Sequence, residues 1–194
     1  MSAALAEEVP AGQMTPAEFR LFQERMPDEE RWELVGGVIV VDSPLLPHEL
    51  VRMEILHELA LWSRAARGRG LVIGSIDVLI GDHDVYGPDI LWYRTDRVPG
   101  RDDPRPYPVP DLAVEVRSPS TWRYDIGAKK SGYERRGLPE LWLVDTAADE
   151  VLVFRRSKPD APQFDVALEL TRDDALTSPR LPGFTLALDA LFGT

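Results

Sequence analysis

The segment Asp111-Leu112-Ala113-Val114-Glu115-Val116-Arg117-Ser118 constrains this chain more than any other. It is an apolar run of strand length with one acid inside it. Such a run reads as a buried strand. A charge held away from water without a partner is costly, so Glu115 needs a reason to be there. Leu112, Val114 and Val116 alternate with Asp111, Ala113, Glu115 and Arg117, which places Glu115 and Arg117 on one face. Taken alone, that pattern also fits an ion pair on a half-exposed sheet face. Pro88-Asp89-Ile90 adds a second acid at the start of another apolar strand. Asp89 alone equally fits a turn-terminating aspartate.

Two carboxylates at adjacent strand ends repel each other unless a cation lies between them. Mg2+ suits such a place, since it takes hard oxygen ligands and leaves positions for water and phosphate; Mn2+ is the natural substitute. The next helix, in Thr121-Trp122-Arg123-Tyr124-Asp125-Ile126-Gly127-Ala128-Lys129, carries an amine. Asp125, Lys129 and Tyr133 are spaced i, i+4, i+8 and share a face. The plain reading is an Asp–Lys pair in solvent, worth a few tenths of a kcal/mol. The functional reading takes Lys129 to the two acids, where an ammonium orients water and stabilises charge on phosphorus. Glu33, in Trp32-Glu33-Leu34-Val35, is a third acid in an apolar setting, though it also fits a solvent-facing strand position.

The periodicities predict the following order. Residues 1–13 form a flexible leader. Thr15 and Pro16 open a helix to about Arg25. Two strands flank Gly36-Gly37. A helix from about Pro47 to Arg67 carries Leu50, Met53, Ile55, Leu56, Leu59 and Leu61 on one side. One strand runs from Leu71 to Ile80, a turn spans Gly81 to Gly87, and further strands follow at 88–93 and 111–118. Between those two lies an irregular loop with Arg97, Arg101 and Arg105. A helix from Asp125 to Arg136 ends at Gly137, and a strand pair follows around 146–149. An edge strand at 164–170 and a short closing element complete the chain. The implied class is α/β (α+β), a mixed β-sheet flanked by helices in one domain over 14–194.

The 194 residues contain no cysteine, which excludes disulfides, thiolate metal sites and a cysteine nucleophile and fits a cytoplasmic location. No secretory signal or membrane span is expected. The net charge of −11 argues against a general nucleic-acid coat protein, but its distribution is uneven. Residues 1–34 hold eight acids and three bases, whereas residues 117–136 hold six bases and two acids. Arg117, Arg123 and Lys130 in that basic stretch, and the 97/101/105 arginines, are candidates for phosphate contacts. His48 and His57 lie nine residues apart, a poor ligand spacing. The 82–84 acid–histidine cluster reads as a hairpin turn. Ser118 and Ser120 read as caps of the following turn, and the five tryptophans as core or core-edge.

Several pieces, in this order, carry a resemblance: Thr15-Pro16-Ala17-Glu18-Phe19, Trp32-Glu33-Leu34-Val35-Gly36-Gly37, Pro88-Asp89-Ile90, residues 110–120, the Asp125/Lys129/Tyr133 helix, Glu140-Leu141-Trp142-Leu143-Val144-Asp145 and Leu181-Pro182-Gly183-Phe184. From about Met14 to Phe192 the chain resembles the Uma-two family of restriction-endonuclease-like proteins, a branch of the PD-(D/E)XK nuclease superfamily. The resemblance implies that Asp89 and Glu115 are the paired acids, that Glu33 is a further metal or water ligand, and that Lys129 replaces a lysine of the strand. The chain departs from the wider superfamily at residue 117, where arginine, which stays protonated, stands in place of lysine.

The expectation is therefore a Mg2+-dependent endonuclease acting on DNA. Asp89, Glu115 and Glu33 bind metal, Lys129 positions the nucleophile, and Asp125, Tyr133 and Arg117 support them. Two rivals remain: a non-catalytic nucleic-acid-binding or interaction module on the same fold, and a partner protein forming a homodimer through its strand edges.

Overall fold

Thr15 caps the first helix, α1 (Pro16–Gln23), in the computed structural model, which describes residues 13–26 and 31–193. Its side chain accepts from the Glu18 amide while the Glu18 carboxylate accepts from the Thr15 amide, a reciprocal box that satisfies two otherwise orphaned donors. Except for its last residue, the expected leader lies outside the described residues, as do Glu7, Glu8, Asp28, Glu29 and Glu30 of the acidic stretch.

Strands β1 (Arg31–Val35) and β2 (Val38–Asp42) form the expected hairpin. Gly36 and Gly37 turn it with φ of 59° and 75°, which a side chain would resist. Helix α2 (Leu46–Arg64) follows, then β3 (Leu71–Gly74), β4 (Val78–Gly81), β5 (Asp84–Tyr86), β6 (Ile90–Tyr93) and β7 (Leu112–Val116). The next helical stretch has three parts: α3 (Trp122–Tyr124), a π-helical turn (Asp125–Lys129) and α4 (Lys130–Arg136). Strands β8 (Glu140–Asp145), β9 (Glu150–Arg155), β10 (Val166–Leu170), β11 (Ala175–Leu176) and β12 (Leu186–Ala187) precede α5 (Leu188–Phe192).

The larger sheet has six strands in the order β10-β9-β8-β7-β6-β3, and a second has four in the order β2-β1-β5-β4. The mixed α+β class expected from the pattern is what forms. β7 and β8 are parallel and adjacent, so the chain must cross over between them; α3, the π-turn and α4 are that crossover. All five residues of β7 are buried because both faces of this sheet are covered. On one face Leu112, Val114 and Val116 join Val51, Ile55, Leu59 and Trp62 of α2. On the other, Ala113 joins Leu141, Leu143 and Tyr133 of α4. Glu115 follows the parity of Ala113 and points toward the crossover helix.

Three expectations need correction. The stretch 81–87 is not all turn, since β5 lies within it and pairs with both β4 and β1. The stretch 71–80 is not one strand. Its first half pairs with β6 in the larger sheet and its second half with β5 in the smaller, so Ser75, Ile76 and Asp77 carry the chain from one sheet to the other. The buried stripe of α2 is also not the one expected. His48, Val51, Ile55, Leu59 and Trp62 face inward, whereas Leu50, Met53 and Leu61 are exposed. The helix has apolar residues on more than one side, and the inward stripe includes a histidine that an apolar count passes over. No described helix is long and apolar enough to cross a membrane.

Candidate active site

The antiparallel register Ile90↔Val114 brings Asp89, one residue before β6, level with Glu115 on β7. Glu33 arrives from β1 in the smaller sheet, and Asp125 and Lys129 come from the π-turn of the crossover. A π-turn is a frequent device for re-aiming side chains at functional sites. Here both ends of the turn are buried.

Lys129 is the centre of the cluster and is 2% exposed. Its Nζ donates to both oxygens of Glu33, at 2.9 and 3.0 Å. It also lies 2.9 Å from Glu115 Oε1 and 3.0 Å from Asp125 Oδ1 as ion pairs. Glu33 further accepts the Gly87 amide at 2.6 Å, Glu115 accepts the Tyr133 hydroxyl at 2.6 Å, and Asp125 accepts the Thr121 hydroxyl at 3.2 Å. One ammonium thus faces three carboxylates. Burial pushes Glu115 well above the ordinary carboxylate range, with Lys129 only partly opposing it. Burial likewise takes Asp125 up to about 6. Burial alone would lower Lys129, but Asp125, Glu115 and Glu33 more than reverse that and hold it firmly charged.

Asp89 looks the other way. Its Oδ2 accepts the Val116 amide at 2.8 Å and lies 3.2 Å from His48 Nε2, while its Oδ1 accepts from Arg31 at 2.9 Å. Burial would raise this carboxyl, but the hydrogen bond and charge of His48, with the Val116 amide, bring it below its usual range. His48 itself is 1% exposed; burial opposes its protonation, and Asp89 outweighs burial so that its affinity for a proton rises. Asp42, at the end of β2, completes a second group. Single ligand atoms of Asp42, His48 and Asp89 all lie within 4.8 Å of one another.

Glu33, Asp89, Glu115 and Lys129 line one cleft of about 700 Å³, together with Asp42, Asp77, Arg20, Arg31 and Arg105. The four expected residues therefore meet, but not around one point: Glu33 and Glu115 close on Lys129, and Asp89 closes on His48 and Arg31. Tyr133 reaches Glu115 rather than Lys129. Arg117 forms two bonds to Asp145, at 2.8 and 2.9 Å, and makes no hydrogen bond to Glu115. Lys130 sits 4.4 Å over the Phe154 ring, Arg123 stacks on Tyr124, and neither lines the cleft. Ser118 caps the turn as expected, accepting the Thr121 amide.

His48, Asp42 and the cleft arginines 20 and 31 escaped the sequence reading. The nine-residue spacing of His48 from His57 argues against the two as a ligand pair, yet the period of His48 with Val51, Ile55, Leu59 and Trp62 marks it as a polar residue on a buried stripe. That signal was available in the sequence.

A fold of this topology with a buried cluster of carboxylates and one lysine in an open cleft belongs among the nuclease-like folds. The crystal structure described as "a putative nuclease belonging to DUF820", from Anabaena variabilis, superposes with a TM-score of 0.75; it is 18% identical and the match covers 93% of this chain and 98% of that one. The Uma2 family, described as "Putative restriction endonuclease", matches residues 16–189, and the chain belongs to that family. No curated protein matches it.

Proposed function

We propose that this protein is a divalent-metal-dependent nuclease that hydrolyses DNA phosphodiester bonds in the cleft between its two larger sheets. The observation that carries this reading is the convergence of Glu33, Asp89, Glu115 and Lys129, from four separate elements, on one open cleft edged by arginines. The family and the structural neighbour support it. The donor set fits a hard or borderline dication: carboxylates, one imidazole, and a buried Asp42 Oδ1 that has no hydrogen-bond partner among the described residues. When bound, such an ion polarises a phosphoryl oxygen and lowers the pKa of a bound water.

The chain's own residues supply the rest. Lys129, kept charged by its acids, can reach a phosphate oxygen and offset charge developing there. Tyr133, Thr121 and the Gly87 amide hold Glu115, Asp125 and Glu33 in place, so the acids are set before substrate arrives. Arg20 and Arg105 are exposed at the cleft and Arg31 is half-buried, which suits them to a polyanion backbone. Exposed Arg123, with Arg117 and Lys130 nearby in sequence, forms a second and more remote basic area for the strand beyond the cleft.

The test is cleavage of plasmid and oligonucleotide DNA with Mg2+ or Mn2+ by the parent, Asp89→Asn and Glu115→Gln, each checked for fold by circular dichroism. Metal-dependent cutting by the parent, and its loss in both folded variants, is expected. Parent-level cutting by either folded variant, or no cutting by the parent with either ion, would overturn the proposal.

A further inference from the structure

Two of the three acids expected to hold metal are not free to do so. Glu33 and Glu115 are committed to Lys129 at 2.9–3.0 Å, and a dication drawn to the same oxygens would meet the ammonium. Asp89 faces His48 through Oδ2 and Arg31 through Oδ1, and the Arg31 side chain, about a third exposed, can swing out to solvent where the enclosed Lys129 cannot. We infer that the divalent ion of this cleft is bound by Asp42, His48 and Asp89, and that this mixed nitrogen–oxygen site favours Mn2+ and other first-row transition ions over Mg2+. The inference rests on the nuclease reading only for its purpose; the binding itself stands apart from it.

Three observations support the site. First, the spacing fits: ligand atoms about 2.0–2.2 Å from one ion are at most about 4.4 Å apart, so a mutual spread within 4.8 Å closes with small side-chain adjustments. Second, Asp42 Oδ1 is buried without a hydrogen-bond partner among the described residues. A buried carboxylate oxygen left without a donor costs free energy that a cation would offset. Third, His48 has the supporting arrangement of a metal-bound imidazole. Its Nδ1 lies 3.2 Å from Glu49 Oε1, and Glu49 is in turn gripped by Arg52 at 2.6 and 3.1 Å. A carboxylate that accepts from Nδ1–H fixes the tautomer, so that when an ion displaces the Nε2 proton the ring presents Nε2 as the ligand atom beside Asp89. Pro47 and the first turn of α2 fix the backbone from which His48 projects. Asp42 and Asp89 both line the cleft, so the remaining coordination positions face the space a phosphate would enter. A nitrogen donor moves selectivity from Mg2+ toward Mn2+ and the later ions.

The experiment is Mn2+ binding to the full chain, followed by electron paramagnetic resonance and calorimetry, with Mg2+ as competitor. Variants are Asp42→Asn, His48→Asn and Asp77→Asn. Asp42 is half-buried and accepts no side-chain hydrogen bond among the described residues, so its variant should fold even if His48→Asn does not; Asp77 lines the same cleft and controls for general loss of negative charge. The expected result is one Mn2+ per chain, displaced by Mg2+ only at a large excess. Affinity should fall about tenfold or more in the Asp42 and His48 variants and stay within about threefold in Asp77→Asn. Unchanged affinity in folded Asp42→Asn, no Mn2+ binding at millimolar concentration, or equal competition by Mg2+ would each overturn it. Mn2+ bound at these residues without DNA cleavage would sink the nuclease reading and leave this site standing.

Discussion

Replacing Lys129 with methionine keeps most of the buried stem and removes only the ammonium. At an effective dielectric of about 20, each of the contacts at 2.9–3.0 Å to Glu33, Glu115 and Asp125 is worth about 6 kcal/mol, or about 17 together. The three carboxylates share one nitrogen, so their nearest oxygens are no more than about 6 Å apart and repel by at least about 3 kcal/mol per pair. That repulsion remains once the ammonium is gone, so the acids of the variant take up protons, which returns part of the lost attraction, and several kcal/mol of ammonium desolvation is recovered as well. The expected loss of stability at pH 8 is therefore about 3–5 kcal/mol, the range found when one partner of a buried ion pair is removed. The loss should shrink as pH falls. Glu115 and Asp125 already bind protons more tightly in the folded chain than in the unfolded one, and without Lys129 they do so more tightly still. When the folded state holds more protons, stability rises as pH falls between the folded and unfolded pKa values. Urea unfolding of parent and variant at pH 8 and pH 5.5 measures both effects. A loss below about 1 kcal/mol at pH 8, or one equal at the two pH values, would show that the ammonium does not compensate these acids.

Two further outcomes follow from packing and charge. A Cβ at Gly132 would overlap the Tyr86 hydroxyl oxygen, and Tyr86 is wedged edge-on against Tyr133 at 5.2 Å, so Gly132→Ala should cost about 1–3 kcal/mol by overpacking. Adding Tyr86→Phe, which deletes the nearest atom, should recover part of that in thermal or urea melts; no recovery would place the strain elsewhere. For DNA binding measured by fluorescence anisotropy across a salt series, Arg20→Ala and Arg105→Ala should each lower the slope of log affinity against log salt by about 1. Unchanged slopes in both would remove the cleft arginines from the phosphate contacts.

Much of the local structure was legible in the sequence because it is written in neighbouring residues. The Thr15–Glu18 box, the Gly36-Gly37 hairpin, the Ser118 cap and the strand around Glu115 all rest on spacings of a few positions. The family's residues were legible too, and Asp89, Glu115, Lys129 and Glu33 share a cleft. What was not legible was which acid faces which cation. Lys129 and Glu33 are 96 residues apart and His48 and Asp89 are 41 apart. Periodicity says that a side chain turns inward, not what it will meet there. Thus Glu115 and Arg117, on one face of an ideal strand, part company: Arg117 lies just past the end of β7 and turns to Asp145.

The sequence by itself determined most of the element types, the mixed class and the presence of costly buried acids, since those follow from hydrophobic period and desolvation. Tertiary structure alone decided how the charges were shared out. It gave Lys129 to three carboxylates, left Asp89 to His48 and Arg31, and brought Arg20 and Arg31 to the cleft beside Arg105 of the expected loop, in place of Arg117 and Arg123. The physical reason is that a pairing between distant residues depends on how sheets and helices stack, and a few ångströms of register choose among partners that look alike in one dimension.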